Sequence, residues 1–178
     1  MSMSFEERLS DAPCVETITQ GHTVSAGSVI RPAEIHWHLV LVKYNGQRRS
    51  ILVGPWANAG IAAWGAGAEI LWVKFKLGTF MPHLPTIKLL HTEIALPEAA
   101  SKSFWLKGSA WQIPDYENVD TFVNRLVRDE VVICDPVVSA TRQDQASDMP
   151  ARTVRHRFLQ STGLTQNHIR QYERAQRA

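Results

Sequence analysis

Cysteine is scarce in this 178-residue sequence. The two cysteines, Cys14 and Cys134, form no CxxC pair and no spaced framework. Their arrangement excludes a disulfide-stapled secreted scaffold and a cysteine-rich zinc module.

Long apolar runs are also missing. No stretch approaches the roughly 18–20 apolar residues that span a bilayer. The first residues, MSMSFEERLSDAP, carry acids where a signal peptide has a basic segment followed by an apolar one. We therefore expect a cytoplasmic protein with no membrane partner.

Catalytic signatures are absent as well. No Ser/His/Asp or Cys/His arrangement has local support, and Gly65-Ala66-Gly67-Ala68 lacks the spacing and the lysine of a phosphate-binding loop. We interpret that glycine pair as a tight turn. The sequence predicts neither an enzyme nor a cofactor.

What the sequence does contain is enough apolar material for a packed core. Hydrophobic residues make up 44% and charged residues 20%, which excludes global disorder. The length fits one domain, or one domain with a small appendage. A net charge of +2 is too small to indicate a nucleic-acid binder by itself.

The charge is distributed unevenly along the chain. Residues 151–178 hold six arginines and one glutamate, a net charge of +5, whereas residues 1–150 carry −3. All six tryptophans lie between residues 37 and 111. We infer an aromatic, mildly acidic body and an arginine-rich tail with different roles. The alternative is a solvated C-terminal helix whose basic residues favour its own C-terminal end.

The sequence pattern of the body is typical of short strands. Residues 36–44 and 48–53 are strand-like and flank Asn45-Gly46, a pair that accepts the positive φ of a tight hairpin turn. Residues 69–75 alternate between two faces. Short strands with frequent turn signals predict a small barrel or double-sheet roll over residues 15–112, after a flexible leader of residues 1–14.

Helices follow the strands, so the sequence predicts the α+β class. Residues 113–145 form a helical connector, with Asp115 as the first cap and Asp135-Pro136 opening a second helix. Residues 146–178 contain a third helix, which runs from Pro150 to Gly163, and a fourth capped by Thr165.

His36 and His38 raise the question of a metal site. Their spacing puts both imidazoles on one strand face, but a metal also needs a carboxylate and a third histidine. No acid follows His38 until Glu69, and His83 and His91 lie in or near a proline-containing loop. We interpret the pair as half-buried strand histidines and predict no metal site.

The tryptophans leave two interpretations open. They fill the interior of the strand-rich body, or some of them line an apolar ligand pocket.

The tail suggests a DNA-reading helix. A recognition helix presents basic and polar side chains at its N-terminal end to the major groove, with an apolar face behind them. Arginines there can pair with guanine edges or with phosphates. The segment that follows Pro150 fits this description.

Three phrases of the tail form a more specific pattern: Arg152-Thr153-Val154-x-x-Arg157-Phe158-Leu159, Thr162-Gly163-Leu164-Thr165 and Ile169-Arg170-Gln171-x-Glu173-Arg174-Ala175. The pattern resembles the first helix-turn-helix and connector helix of AraC/XylS-type transcriptional regulators. Upstream phrases are similar to one subgroup, in which a cupin-like barrel precedes the DNA-binding domain: Gly54-Pro55, Gly67-Ala68-Glu69-Ile70, Phe75 to Pro82 and Pro114 to Asn118. The resemblance covers most of residues 30–178.

The resemblance implies roles for individual residues. Arg152, Arg155 and His156 match positions that face DNA bases in the family, and we count Thr153 and Arg157 in the same DNA-binding set. Val154 and Phe158 match buried positions, and Gly163 matches the turn.

The resemblance also implies a function. It predicts a regulator whose cupin-like body senses a signal while the arginine-rich helix docks in the major groove of duplex DNA. It leaves a small-molecule effector and a homodimer open as further partners. The family's second helix-turn-helix has no counterpart, because the sequence ends inside the connector helix, so we expect a truncated regulator with weak, salt-sensitive DNA binding.

Two alternatives belong to other classes. One is a truncated cupin-like module that binds a ligand or a protein partner and does not bind DNA on its own. The other is a metal-dependent cupin enzyme.

Overall fold

A computed structural model describes residues 3–177, with strands in the N-terminal part and helices in the C-terminal part. The strands are β1 Met3–Leu9, β2 Val15–Thr23, β3 Gly27–Arg31, β4 His38–Tyr44, β5 Gln47–Val53, β6 Gly60–Trp64, β7 Glu69–Phe75, β8 Thr79–Phe80, β9 Glu93–Leu96, β10 Glu98–Ala100, β11 Ser103–Leu106, β12 Ser109–Gln112 and β13 Ile133–Cys134. The helices are α1 Val119–Arg128, α2 Pro136–Arg142, α3 Ala151–Thr162 and α4 Gln166–Arg177, with a 3₁₀ turn at Thr86–Lys88. The predicted α+β class is confirmed.

The main sheet has six antiparallel strands in the order β1-β2-β7-β4-β5-β9. Alternation along β7 buries Leu71, Val73 and Phe75, as the period of two requires. Trp37 stacks on Phe75 with ring centroids 3.9 Å apart, and its indole N–H donates to the Thr79 carbonyl at 2.6 Å. Trp37 therefore fills the core, which agrees with the interpretation that the tryptophans fill the interior of the strand-rich body.

The sheet does not close into a barrel within residues 3–177. β1 and β9 form its opposite edges, and no strand pairing joins them. The remaining strands do not connect β1 to β9. They form three separate smaller sheets: β3 with β6, β8 with β13, and β10 to β12 with one another. Of the two predicted forms, a small barrel or a double-sheet roll, the closed barrel is not observed: the described residues form an open six-stranded sheet and three smaller sheets.

The turn between β4 and β5 follows its local sequence. Asn45 and Gly46 have φ of 51° and 75°, the positive values that a type I′ hairpin turn requires. The predicted hairpin is confirmed.

Within the predicted flexible leader of residues 1–14, Met3–Leu9 form an edge strand, because β2 offers a complete ladder of partners from Met3 to Leu9; residues 1–2 lie outside the described residues. Arg8 anchors the strand: its guanidinium lies 2.7 Å from Asp120 and donates to the Tyr116 carbonyl at 2.9 Å. Polar side chains conceal this strand in the sequence, since its pattern shows no buried face.

The first helix begins later than predicted. Asp115 does not cap it; the Asp115 carboxylate accepts from the backbone N–H groups of Glu117 and Asn118 at 3.0 and 2.9 Å and closes a separate turn. The helix starts at Val119 and buries its apolar stripe, Val119, Phe122, Val123 and Leu126, in the main core. Phe122 meets the edges of Phe104 and Trp111 there.

The last three helices pack on the body through a second apolar cluster. Phe158 of α3 and Ile169 of α4 meet Val138 of α2 and Ile35 of the body, with Leu164 between the helices. Gly163 ends α3 in the left-handed conformation, and Thr165 accepts from the backbone N–H of His168, both as predicted. The tail therefore shares its core with the body.

Phe158→Ala tests this shared core. The ring is 3% exposed, so its loss should lower the free energy of unfolding by about 3–5 kcal/mol. Urea denaturation measures the change, and Leu9→Ala, at a side chain 79% exposed, is the control. A loss below about 1 kcal/mol would mean that the tail does not pack on the body.

Candidate functional site

The N-terminal turn of α3 presents a positively charged end. Among the described residues, no side chain caps it and no acidic residue lies in its first turn. The Pro150 carbonyl accepts from the N–H groups of Thr153 and Val154 at 2.9 and 3.1 Å, which starts the helix. The positive end of the helix dipole therefore lies beside the arginines, and within residues 3–177 no acidic residue of the first turn offsets it.

The structure brings four of the five predicted DNA-binding residues together on the exposed side of α3. Arg152, Arg155 and His156 follow the i, i+3, i+4 spacing of one helix face, and Thr153 is exposed next to them. Within residues 3–177 none of these side chains forms an ion pair, and only Arg155 makes a contact, a long one of 3.4 Å to the Ala151 carbonyl. We name Arg152, Thr153, Arg155 and His156 the α3 basic face.

Arg157, the fifth predicted residue, points the other way. Its Nε and Nη2 donate to the two carboxylate oxygens of Asp135 at 3.0 and 2.7 Å. This two-pronged geometry uses the guanidinium inside the protein. Arg157 is therefore not part of the α3 basic face.

Asp135 is the anchor of the helical part. Its side chain is buried and also accepts from the backbone N–H of Val137 at 3.0 Å and from the Ser161 hydroxyl at 3.3 Å. The sequence predicted the cap but not the arginine, because Arg157 belongs to another helix. The signal that could have revealed the Arg157–Asp135 pair is the position of Arg157 on α3, which lies off the face shared by Arg152, Arg155 and His156.

The two connections around α3 differ in length. Residues 143–150 separate α2 from α3, whereas residues 163–165 join α3 to α4. A helix-turn-helix has a turn of about three or four residues. The α3–α4 connection has that length, and the α2–α3 connection is longer.

A second cluster, of acids and histidines, lies beneath the tail. His36 donates or accepts through both ring nitrogens, with Nδ1 2.6 Å from Glu34 and Nε2 2.9 Å from Glu16. Lys74 reaches Glu34 at 3.3 Å, and the His38 ring lies 3.8 Å from the same carboxylate. We name these five residues the acid–histidine cluster.

Sequence reasoning missed the acids of this cluster. It looked for a carboxylate after His38, whereas Glu34 precedes His36 and Glu16 comes from β2. The histidines are half-buried, as predicted, but each one lies beside a carboxylate. Within residues 3–177 no group of three or more His, Cys, Asp or Glu side chains is arranged to hold a metal ion.

The cluster shifts the ionisation of its members. Burial would raise the pKa of Glu34, but the hydrogen bond to His36 and the charges of the two histidines outweigh it and lower the pKa to about 2. Burial also opposes the charged form of His36, yet its hydrogen bonds to Glu16 and Glu34 raise its pKa. Burial lowers the pKa of His38 to about 4.

A cavity of about 720 Å³ opens at one end of the main sheet. Leu41, Leu71 and Tyr116 are among its lining residues. Its charged lining is mixed in sign: Glu6, Lys43, Arg48, Arg49, Glu69, Lys102 and Asp115. None of the tryptophans lines it, so the interpretation in which tryptophans line a ligand pocket does not apply to this cavity.

Comparison with known proteins adds no relative. No family model matches the sequence, and neither a curated protein nor a solved structure matches it. The resemblance to AraC/XylS-type regulators therefore stays a prediction. Within residues 3–177 no helix is long and apolar enough to cross a membrane.

The acid–histidine cluster predicts a loss of stability as the pH rises. Because the folded-state pKa of His36 is raised above its usual 6.5, its contribution is complete below pH 6.5 and is lost above it. His36→Gln should flatten the decline in the free energy of unfolding between about pH 6 and pH 9. Urea denaturation across that range checks this, with exposed His156→Gln as the matched control.

At acidic pH, His38 makes the free energy of unfolding change in the opposite direction. Because the pKa of His38 is lowered, the stability that its neutral form contributes is lost as the pH falls from 6.5 towards 4. His38→Gln should therefore reduce the decline in the free energy of unfolding over that pH range. If both histidine variants keep the parent profile, the cluster does not ionise as described.

Proposed function

We propose that this chain is a DNA-binding transcriptional regulator of the AraC type, in which α3 docks in the major groove. The observation that carries the proposal is the α3 basic face: an exposed set of basic and polar side chains at the N-terminal end of a helix, with no ion-pair partner within residues 3–177. The other side of the same helix is fixed to the body through Arg157 and Phe158. A fixed helix with a free basic end is what groove recognition needs.

The chemistry of the face suits duplex DNA. Arg152 and Arg155 can pair with the O6 and N7 atoms of guanine or with phosphate oxygens. The uncapped N-terminus of α3 adds backbone N–H donors and a positive dipole, which favour a phosphate. His156 completes a contact area of about one helix turn.

The fourth helix extends the positive surface. Arg174 and Arg177 lie in its last turn and are exposed. Arg170 is paired with Asp144 at 3.0 Å, but both groups are on the surface, where such a pair contributes little and can exchange for a phosphate. These arginines would position the chain on the backbone, while the α3 basic face reads bases.

In this proposal the open, cupin-like sheet is the sensing part. The cavity beside Leu41 and Leu71 would hold an effector, and the shared core around Ile35 and Phe158 would link the sheet to α3. The acid–histidine cluster flanks Ile35, so it would stiffen that link.

DNA binding tests the proposal directly. With about three phosphate or base contacts, affinity should be weak and fall steeply with salt. Arg152→Ala with Arg155→Ala should raise the dissociation constant at least about tenfold and reduce the salt slope by about 2. Fluorescence anisotropy on random duplex DNA at two salt concentrations measures both effects.

Arg48→Ala is the matched control, because Arg48 lies on β5 at the cavity and not on the tail. It should leave the dissociation constant unchanged. An equal loss in both variants would contradict a specific docking face, and no binding at low salt would contradict the proposal.

A second candidate is the ligand- or partner-binding module without autonomous DNA binding. The cavity favours it, since a volume of about 720 Å³ with a few polar groups is typical of small-molecule sites. Native mass spectrometry of the purified chain should then show a retained small molecule, which Gln20→Trp displaces by filling the cavity. Gln112→Trp, on exposed β12, is the control; a chain without bound mass, with normal DNA binding, would reject this candidate.

A further inference from the structure

The two cysteines lie far apart in the sequence, but the fold places both of them beside Thr79. The Thr79 hydroxyl donates to the Cys14 carbonyl at 3.1 Å, and the Lys76 backbone N–H donates to the same carbonyl at 2.9 Å. The residue before β2 therefore lies against the start of β8. β8 also pairs antiparallel with β13, in which Cys134 is the direct cross-strand partner of Thr79.

The side chain of Thr79 indicates the direction of the Cys134 side chain. Directly opposed residues of an antiparallel pair project their side chains from the same face. Because the Thr79 hydroxyl reaches Cys14 from that face, the Cys134 side chain leaves its strand on the side where Cys14 lies. Burial is the main cause that raises the pKa of Cys14 to about 11. The nearby Cys134 thiol adds to the rise, while a backbone hydrogen bond and Lys76 oppose it.

The two thiols differ in their access to solvent. Cys14 is 4% exposed and belongs to the main core, whereas Cys134 is exposed. Thiols react as thiolates, so burial and the raised pKa protect Cys14 from reagents in solution. An oxidant therefore reaches Cys134 first, and Cys14 is the inner thiol behind it.

We propose that Cys134 and Cys14 form a reversible disulfide when the chain meets a low-molecular-weight disulfide such as oxidised glutathione. The Cys134 thiolate attacks one sulfur of the reagent, which forms a mixed disulfide and releases one thiolate. Cys14 then loses its proton and its sulfur attacks the Cys134 sulfur, so that the bond to the reagent breaks and a second thiolate leaves. The two released thiolates take up the two protons that the cysteines lose. The reagent disulfide is thereby reduced to two thiols, and the two protein thiols are oxidised to one disulfide.

The disulfide would tie the segment before α2 to the start of β2. Cys134 is followed directly by Asp135. The Asp135 backbone N–H donates to the Gly78 carbonyl, and its carboxylate accepts from Arg157. Oxidation therefore crosslinks the anchor of the helical part to the main core. Because a disulfide that closes a long loop stabilises the folded state, the stability of the chain becomes dependent on the redox conditions.

Mass spectrometry of the full chain tests the disulfide. After incubation with oxidised glutathione and acid quenching, the parent chain should lose the mass of two hydrogens and give a peptide pair that joins Cys14 to Cys134. Cys14→Ser should stop at the glutathione adduct on Cys134. Cys134→Ser should stay unmodified while folded and gain an adduct on Cys14 in urea, because unfolding removes the protection by burial.

Urea denaturation supplies an independent measurement. The oxidised parent chain should unfold at a higher urea concentration than the reduced parent chain, and dithiothreitol should abolish the difference. Cys14→Ser and Cys134→Ser are the matched controls, and neither should show a shift of this kind. Circular dichroism checks that both variants fold, and Cys14→Ala replaces Cys14→Ser if the buried serine prevents folding.

Three results would overturn the proposal. One is a parent chain that keeps a glutathione adduct on Cys134 and forms no internal bond. Another is a disulfide that joins two chains through Cys134. The third is equal modification of Cys14 and Cys134 in the two folded serine variants, which would mean that Cys14 is not the protected inner thiol. Each result is independent of the DNA measurements.

Discussion

The buried carboxylate of Asp135 is the contact on which the helical part depends. Its oxygens accept from the start of α2 and from Arg157 and Ser161 of α3, while its own N–H donates to the Gly78 carbonyl at 2.8 Å. A buried charge is stable only when such partners surround it. Because they come from three segments, the same group fixes α3 relative to α2 and to the strands. The outward direction of Arg155 follows from the inward direction of Arg157.

Signals confined to a few residues were read correctly from the sequence. The Asn45-Gly46 turn, the alternation in β7, the Asp135 cap and the Gly163 end of α3 each depend on backbone conformation or on side-chain period within a short window. The residues that cause each of these features lie within the same short segment of sequence. The open sheet was not predictable in the same way, since closure depends on which distant strands find each other.

Contacts between distant segments account for what the sequence could not predict. β1 is polar and has no alternating pattern, so only its pairing with β2 makes it a strand. Arg157 is the fifth predicted DNA-binding residue because helical spacing near Arg155 and His156 does not reveal its distant partner, Asp135. The carboxylates beside His36 were missed for the same reason, since Glu16 arrives from another strand.

The acid–histidine cluster and the α3 basic face differ in whether their charged groups have partners. In the acid–histidine cluster, the Glu16 and Glu34 carboxylates lie beside His36, and the Lys74 ammonium reaches Glu34, so these carboxylates have partners inside the protein. The α3 basic face has no such partners within the described residues. With a tail of +5 on a body of −3, a polyanion would be attracted to α3 and repelled by the body. For a DNA-binding role, this asymmetry would select the docking direction before any base is read.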